Sequence, residues 1–369
     1  MRVAIVHDWL NQYGGAERVL EALHALYPDA PVYTAMYAPA VMPPAYRAWD
    51  IRTSFLQRLP LVTTRHQFYL MLYPWAIESF DLAAYDLVLS SSSAFAKGAI
   101  AGPRAPHVCY CHTPMRFGWD YAGYARHEHI PALVRWLLPP FIRRLREWDR
   151  RTADRVDCFI ANSRNVADRI RRYYDRDSVI IQPPVDMSRF RPVDRFAVGD
   201  YYLVLSRLVP YKRIDLAVRA FALLDRPLWI AGDGRARPDL EAIAPPNVRF
   251  LGRVPDVDVP GLYARCRAFI FPGEEDLGIA PLEAMAAGRP VIAYAAGGAL
   301  ETVIEGQTGV FFREQTPESL AQAVRDLETL EFDPAVLRRQ AGQFDITSFQ
   351  TRVRAVVDEC LARGVRRIA

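Results

Sequence analysis

Short, almost uninterrupted apolar runs alternate with longer amphipathic segments, and this rhythm passes along the chain twice. The first series is Val3–Val6, Val32–Met36, Leu87–Ser90, His107–Cys111, Cys158–Ala161 and Val179–Gln182. The second is Tyr202–Ser206, Leu228–Ala231, Val248–Leu251, Ala268–Phe271, Val291–Tyr294 and Gly309–Phe312. Most of these runs lack polar alternation, which suits strands buried on both faces of a parallel sheet. Helical patterns such as Glu17–Leu26 and Asp215–Leu224 lie between them. Strand and helix in alternation imply a doubly wound α/β architecture, here made twice. The first series ends at Gln182-Pro183-Pro184-Val185-Asp186. Two prolines cannot donate ladder hydrogen bonds, and each biases its predecessor away from helix, so the interdomain linker is expected there. The reading is a domain over 1–184, a second over 185–348, and a tail over 349–369 whose Gln350–Ala362 is amphipathic. Two domains suit 369 residues.

Composition narrows the function classes. Hydrophobic residues make up 51% and aromatics 12%, which excludes a disordered chain. A net charge of +4 is too small for a dedicated nucleic-acid coating protein. Five cysteines with no C-x2-C pair give neither a disulfide framework nor a zinc site, and fit a reducing compartment. The start, MRVAIVHDWL, does not read as a signal peptide, and no run of about 18 apolar residues exists. Of 46 basic residues only Lys97 and Lys212 are lysine, the other 44 being arginine. Where such a chain keeps lysine, a compact ammonium is favoured over a planar fork.

The polar motifs of interest directly follow apolar runs. Arg207, Lys212 and Arg213 follow Tyr202–Ser206, and a fork with a point charge suits a diphosphate. Glu275 and Glu283 stand seven residues apart, across the turn from a buried strand to a helix that Pro281 would open. Two such carboxylates can reach neighbouring hydroxyls of one ligand. Gly14-Gly15 before the first helix allows close backbone approach to a phosphate. Neither G-x-G-x-x-G nor G-x4-G-K-[ST] accompanies it, so dinucleotide and P-loop readings lose support. Gly232-Asp233-Gly234 reads as a plain turn. Asp175-Arg176-Asp177 precedes its strand, and Asp256-Val257-Asp258 precedes a helix that an acid there could cap. The basic segment Phe141–Arg155 follows Pro139-Pro140, Pro140 suiting a first helical turn, with Phe141, Leu145 and Trp148 as an apolar stripe.

Taken in order, these elements resemble the retaining family 4 glycosyltransferases of the GT-B fold. The resemblance rests on Gly14-Gly15-Ala16-Glu17, Ser206-Arg207 with Lys212, the spacing from Glu275 to Glu283, Gly297-Gly298-Ala299-Leu300-Glu301, and Pro184-Val185-Asp186 through Phe190. It covers nearly the whole chain. Tyr110-Cys111-His112-Thr113-Pro114-Met115-Arg116, and Ser91-Ser92-Ser93 with Lys97-Gly98, resemble more narrowly the bacterial O-antigen and polysaccharide mannosyltransferases. The sequence departs from the family at Asp276 and Leu277, where Gly and Phe are commoner, and at Ser206, where Gly is.

The resemblance implies two Rossmann-like domains facing a central cleft, the tail helix crossing back to the first. It implies that Arg207 and Lys212 hold a donor diphosphate, Glu283 the ribose hydroxyls, and Glu275 the transferred sugar, with backbone help from Gly278 and Ile279. Gly14 and Gly15 would approach the phosphate from the first domain. His112 would sit beside the donor sugar, and Arg253 where a loop meets the base. The implied reaction moves mannose from GDP-mannose to a saccharide or lipid-linked saccharide acceptor, with retention, in cell-surface polysaccharide synthesis. No metal and no cofactor beyond the nucleotide sugar is expected. A UDP-sugar donor, an epimerase or hydrolase on this scaffold, and a non-catalytic nucleotide-sugar binder stand as alternatives. The implied setting is cytoplasmic. Arg143–Arg155 with Arg363, Arg366 and Arg367 offers attraction to an anionic membrane face. No nucleic-acid partner is expected.

Overall fold

A computed structural model describes residues 1–119 and 132–364, with the side chains of 132–137 left aside. Arg366 and Arg367 lie outside the described residues. The chain divides into two compact units, Met1–Pro183 with Phe349–Ala369, and Pro184–Ser348.

The first unit is built on β1 (Val3–His7), β2 (Val32–Thr34), β3 (Ile51–Thr53), β4 (Leu87–Ser92), β5 (His107–Cys111), β6 (Cys158–Ala161) and β7 (Ser178–Ile180). Among the described residues they form one parallel sheet in the order β3-β2-β1-β4-β5-β6-β7. Both faces are covered, and the period of two along each strand divides them. Ile5, Leu89, Val108, Tyr110 and Ile160 pack on one side beneath the helix Gly15–Leu26. On the same side lie Phe349, Val353, Val356, Val357 and Cys360 of the last helix, Ile346–Arg363. Val6, Val88, Cys109, Phe159 and Ala161 face the other way. Strand β3 carries no unbroken apolar run. It is a three-residue edge strand whose side chains are half-buried or exposed, which is why hydrophobicity did not mark it.

The second unit has β8 (Tyr202–Leu205), β9 (Leu228–Ala231), β10 (Val248–Gly252), β11 (Phe269–Phe271), β12 (Val291–Tyr294) and β13 (Gly309–Phe312). They pair in parallel in the order β10-β9-β8-β11-β12-β13. Leu203, Phe269, Val291 and Ala293 face the helices Val259–Arg265 and Ala280–Ala286. Tyr202, Val204, Ile270 and Ile292 face Ile214–Phe221 and Pro317–Glu328. In both sheets the order reverses beside the first strand, between β1 and β4 and between β8 and β11. Loops leaving such a pair of strands part to opposite faces and open a crevice at the carboxyl ends.

The basic segment departs from expectation at its start. Its helix runs Ala132–Thr152, with Pro139 and Pro140 inside rather than in the first turn. Proline's φ suits a helix, but each ring removes one backbone donor and crowds the carbonyl four residues earlier. Ile142, Leu145 and Trp148 are buried, whereas Phe141 is exposed. Leu145 and Trp148 are as read, and the stripe begins with Ile142 instead of Phe141, which the three-residue spacing to Leu145 also satisfies.

Candidate functional site

In the second unit, β8 delivers Ser206 and Arg207 at its carboxyl end, and a 3-10 turn, Pro210–Lys212, carries the lysine. The neighbouring β11 delivers the loop that holds Glu275 before the helix Ala280–Ala286. Lys212 Nζ pairs with Glu275 Oε1, both side chains mostly shielded. The approach is backed by the main chain. A Cβ on Gly273 would lie 2.8 Å from the Lys212 carbonyl oxygen, so glycine lets the two loops touch. Arg207 donates from Nη2 to Tyr211 Oη at 3.2 Å. Glu283 sits in the first turn of its helix, buried, and accepts the Tyr263 hydroxyl at 3.0 Å. Gly278 has φ +83°, and a Cβ there would meet the Phe271 ring at 2.5 Å. Ile279 occupies the helix N-cap position. Leu277, at a position where the family more often has Phe, is buried in the apolar core.

A second glycine pair supports the carboxylate loop. Gly297 has φ +58°, and Gly298 N donates to the Glu275 carbonyl at 2.9 Å. A Cβ on Gly298 would come within 2.0 Å of Leu277 Cα. Gly232-Asp233-Gly234, read as a plain turn, has the same function beside β8. A Cβ on Gly232 would fall 1.9 Å from the Ser206 carbonyl oxygen, and one on Gly234 2.4 Å from that of Leu208. Arg207, Lys212, Glu275, Gly278, Ile279 and Glu283 thus gather at one sheet end. Arg253 stands apart, exposed after the edge strand β10.

In the first unit, Gly14 is the N-cap of the helix Gly15–Leu26, which no side chain caps. Beside it Asp8, directly after β1, is buried and accepts the amides of Ser93, Ala94, Phe95 and Ala96 after β4. Burial still pushes its carboxyl upward in pKa. His112, one residue past β5, meets Ser91 Oγ at 2.8 Å through Nε2. Burial, with the neighbouring His7, pulls its pKa down to about 3, so it is neutral at pH 7. His7 Nδ1 meets the same hydroxyl at 3.1 Å, and Glu17 Oε1 lies 3.6 Å from His7 Nε2. Asp8 and His7 were not singled out in the sequence. Their hydrogen-bond partners Ser91 and Ser93–Ala96 lie 84 or more residues along the chain, so local patterning carries no signal for these contacts.

Lys97 is buried rather than at the site. Its Nζ pairs with Asp149 Oδ1 at 2.9 Å and donates to Thr152 Oγ1 at 2.8 Å. The two D-x-D triplets have local duties. Asp175 is the left-handed C-cap of the helix Arg164–Tyr174, and Asp177 pairs with Arg171. Asp256 pairs with Arg189 at 2.6 Å. Asp258 takes the N-cap position of the helix Val259–Arg265, without a side-chain capping bond.

Residues 13–189 match the family described as Glycosyltransferase Family 4, and residues 191–344 that described as Glycosyl transferases group 1. The chain therefore carries, in tandem, a Glycosyltransferase Family 4 domain and a Glycosyl transferases group 1 domain, in a GT-B α/β fold. A similar solved structure is that of HepE from Anabaena in complex with UDP-glucose, with TM-score 0.71 and 19% identity over 97% of this chain and all of that one. Among curated relatives, a GDP-mannose-dependent alpha-(1-6)-phosphatidylinositol monomannoside mannosyltransferase of Mycolicibacterium smegmatis is 34% identical over 175 residues, 40% of this chain and 46% of its own. A D-inositol 3-phosphate glycosyltransferase of Streptomyces avermitilis is 30% identical over 217 residues, 50% of this chain and 46% of its own. The chain spans about half the length of these curated relatives.

Proposed function

We propose that this chain is a retaining glycosyltransferase that moves mannose from GDP-mannose to a saccharide or lipid-linked saccharide acceptor, in cell-surface polysaccharide synthesis. The observation that carries the reading is the pairing of Lys212 with Glu275 at the reversal point of the second sheet, with Arg207 in the loop after β8 and Glu283 in the first turn of the helix after β11. Two preorganised cations there would stabilise a departing diphosphate without a metal, and the two carboxylates would take ribose and sugar hydroxyls. The 34% identity to a GDP-mannose-dependent enzyme supports mannose over the alternatives. The acceptor would attack on the face the diphosphate leaves, with the departing phosphate taking the acceptor's proton.

A lipid-linked acceptor draws support from one surface of the first unit. Between Asp50 and Glu78 there is no carboxylate, while Arg52, Arg58 and Arg65 are present. In that stretch Leu61, Phe68 and Trp75 are 63%, 76% and 63% exposed, and none of His66–Leu72 is fully buried. Asn11, in the loop after β1, donates to the Thr63 carbonyl at 3.0 Å, so this shelf borders the site's first loop. Apolar side chains with arginines among them suit the face of an anionic bilayer. Exposed Arg143, Arg144, Arg150 and Arg151 on the helix Ala132–Thr152 add to the attraction. Among the described residues no helix is long and apolar enough to cross a membrane.

The test is a thermal-shift screen of nucleotide sugars, followed by a product assay with mannosyl and lipid-linked acceptors with and without EDTA. Stabilisation by GDP-mannose and EDTA-insensitive mannosyl transfer is the expected result. Turnover of UDP-sugars alone, hydrolysis as the main outcome, or strict dependence on added metal would overturn the corresponding part.

A further inference from the structure

Four polar side chains on separate elements of the first unit form a continuous line from the buried Glu17, His7 and Ser91 to the half-buried His112. Glu17 and His7 side chains are each 3% exposed, and Ser91 is fully buried. The distances are 3.6 Å from Glu17 Oε1 to His7 Nε2, 3.1 Å from His7 Nδ1 to Ser91 Oγ, and 2.8 Å from Ser91 Oγ to His112 Nε2. A hydroxyl offers one hydrogen, so it cannot donate to both imidazoles, and the ends of the line decide its direction.

The Glu17 carboxylate favours a hydrogen on His7 Nε2. With that ring neutral, its Nδ1 is a lone pair that accepts the Ser91 hydroxyl hydrogen. The Ser91 oxygen in turn accepts from His112 Nε2–H. His112 is left with its hydrogen on Nε2 and a lone pair on Nδ1, which meets no hydrogen-bonding group among the described residues. The opposite direction needs His7 as an imidazolium donating from Nδ1 to Ser91. Ser91 would then donate to His112, whose hydrogen would sit on Nδ1.

We infer that Glu17, His7 and Ser91 are positioning residues that fix His112 in the Nε2–H tautomer and present its Nδ1 as a hydrogen-bond acceptor for a substrate hydroxyl. Acceptance of a substrate hydroxyl rests on the functional reading above. The tautomer does not; it rests on the contacts within the first unit and on His7 being the neutral partner. The backbone reinforces the arrangement. His112 N donates to the Ser92 carbonyl at 2.8 Å, and Asn162 Nδ2 donates to the His112 carbonyl at 2.9 Å, so the ring pivots on a fixed main chain. The burial that keeps His112 neutral makes its tautomer a real choice at pH 7.

The experiment is long-range proton–nitrogen correlation NMR of the full chain with labelled histidine, at pH 7 and without substrate. The resonances are assigned through His112→Gln and His7→Gln. In the wild type both rings are expected as Nε2–H tautomers. Ser91→Ala and Glu17→Gln should each move His112 toward a mixture of tautomers, and Ser91→Thr, which keeps the hydroxyl, should restore it. In transfer assays Ser91→Ala should lose on the order of tenfold in kcat, the scale of one misdirected hydrogen bond, with Ser91→Thr recovering it. A wild-type His112 carrying its hydrogen on Nδ1 would overturn the inference whatever Ser91→Ala and Glu17→Gln show. So would a His112 spectrum unchanged in a folded Ser91→Ala, or wild-type turnover by that variant. If the wild type showed the expected tautomer but transferred no sugar, the functional reading would fall and the assignment of the line would stand.

Discussion

Replacing Lys97 by methionine should unfold the first unit far more readily than its distance from the candidate site suggests. Lys97 is one of two lysines in a chain with 44 arginines. Its side chain is 2% exposed and that of Asp149 is fully buried, with Nζ 2.9 Å from Oδ1. The remaining ammonium hydrogens are used by the Asp149 carbonyl and Thr152 Oγ1, and the rings of Trp148 and Tyr174 lie within 5.4 Å. At that separation the attraction is about 6 kcal/mol at an effective dielectric near 20, a sum that the desolvation of both charges largely offsets. Methionine removes the attraction and leaves the carboxylate buried. Trp119 Nε1 and Tyr174 Oη would remain as its donors, at 2.6 and 2.8 Å. The expected loss is about 3–5 kcal/mol. Six of the seven tryptophans belong to the first unit, so fluorescence during urea unfolding reports mainly on it. The midpoint should fall by at least about 1 M urea. Lys97→Arg, the change that the composition would favour, should also destabilise, by about 1–3 kcal/mol, because a planar guanidinium overfills this cage. Lys97→Met with Asp149→Asn should recover part of the loss. A Lys97→Met protein within 1 kcal/mol of the wild type would refute the reasoning.

Other outcomes follow from the same geometry. Burial pulls His107 and His112 from 6.5 to about 3, so below pH 6.5 the unfolded chain binds protons that the folded one refuses. Their contribution is complete above about pH 6.5 and drains away toward pH 3. Urea midpoints should therefore drop between pH 7 and 4.5, less steeply in His107→Gln, although Asp8 works in the opposite sense; equal slopes would refute this. Gly298→Ala should push the Glu275 loop from its place, weaken the second unit by about 1–3 kcal/mol and abolish stabilisation by the donor, read by thermal shift. Lys212→Ala should lower kcat by about 100-fold while leaving the urea midpoint nearly unchanged, and near-wild-type turnover would remove the lysine from the site.

The doubly wound fold was legible because its evidence is local. A strand buried on both faces must be apolar at successive positions, and runs such as His107–Cys111 and Val291–Tyr294 announce themselves whatever their neighbours. Part of the candidate site was marked in the sequence for a related reason. At the carboxyl end of a parallel strand the chain turns toward the ligand side, so polar residues directly after an apolar run were marked by position alone. Arg207, Lys212 and Glu275 were marked that way, whereas His112 entered only through the family resemblance. What stayed hidden depends on which strands lie side by side. The order β1-β4 and β8-β11 arises from crossover connections that no local pattern specifies. Only this order brings Asp8 to the amides of Ser93–Ala96, His7 to Ser91, and Lys212 to Glu275. The helix Ala132–Thr152 shows the finer limit. Spacing allowed Phe141 or Ile142 beside Leu145 and Trp148, and the folded first unit buries Ile142 and leaves Phe141 exposed. The two glycine pairs complete the contrast. Their composition was visible, but the need for glycine came from backbones that the folded sheet presses together at van der Waals distance.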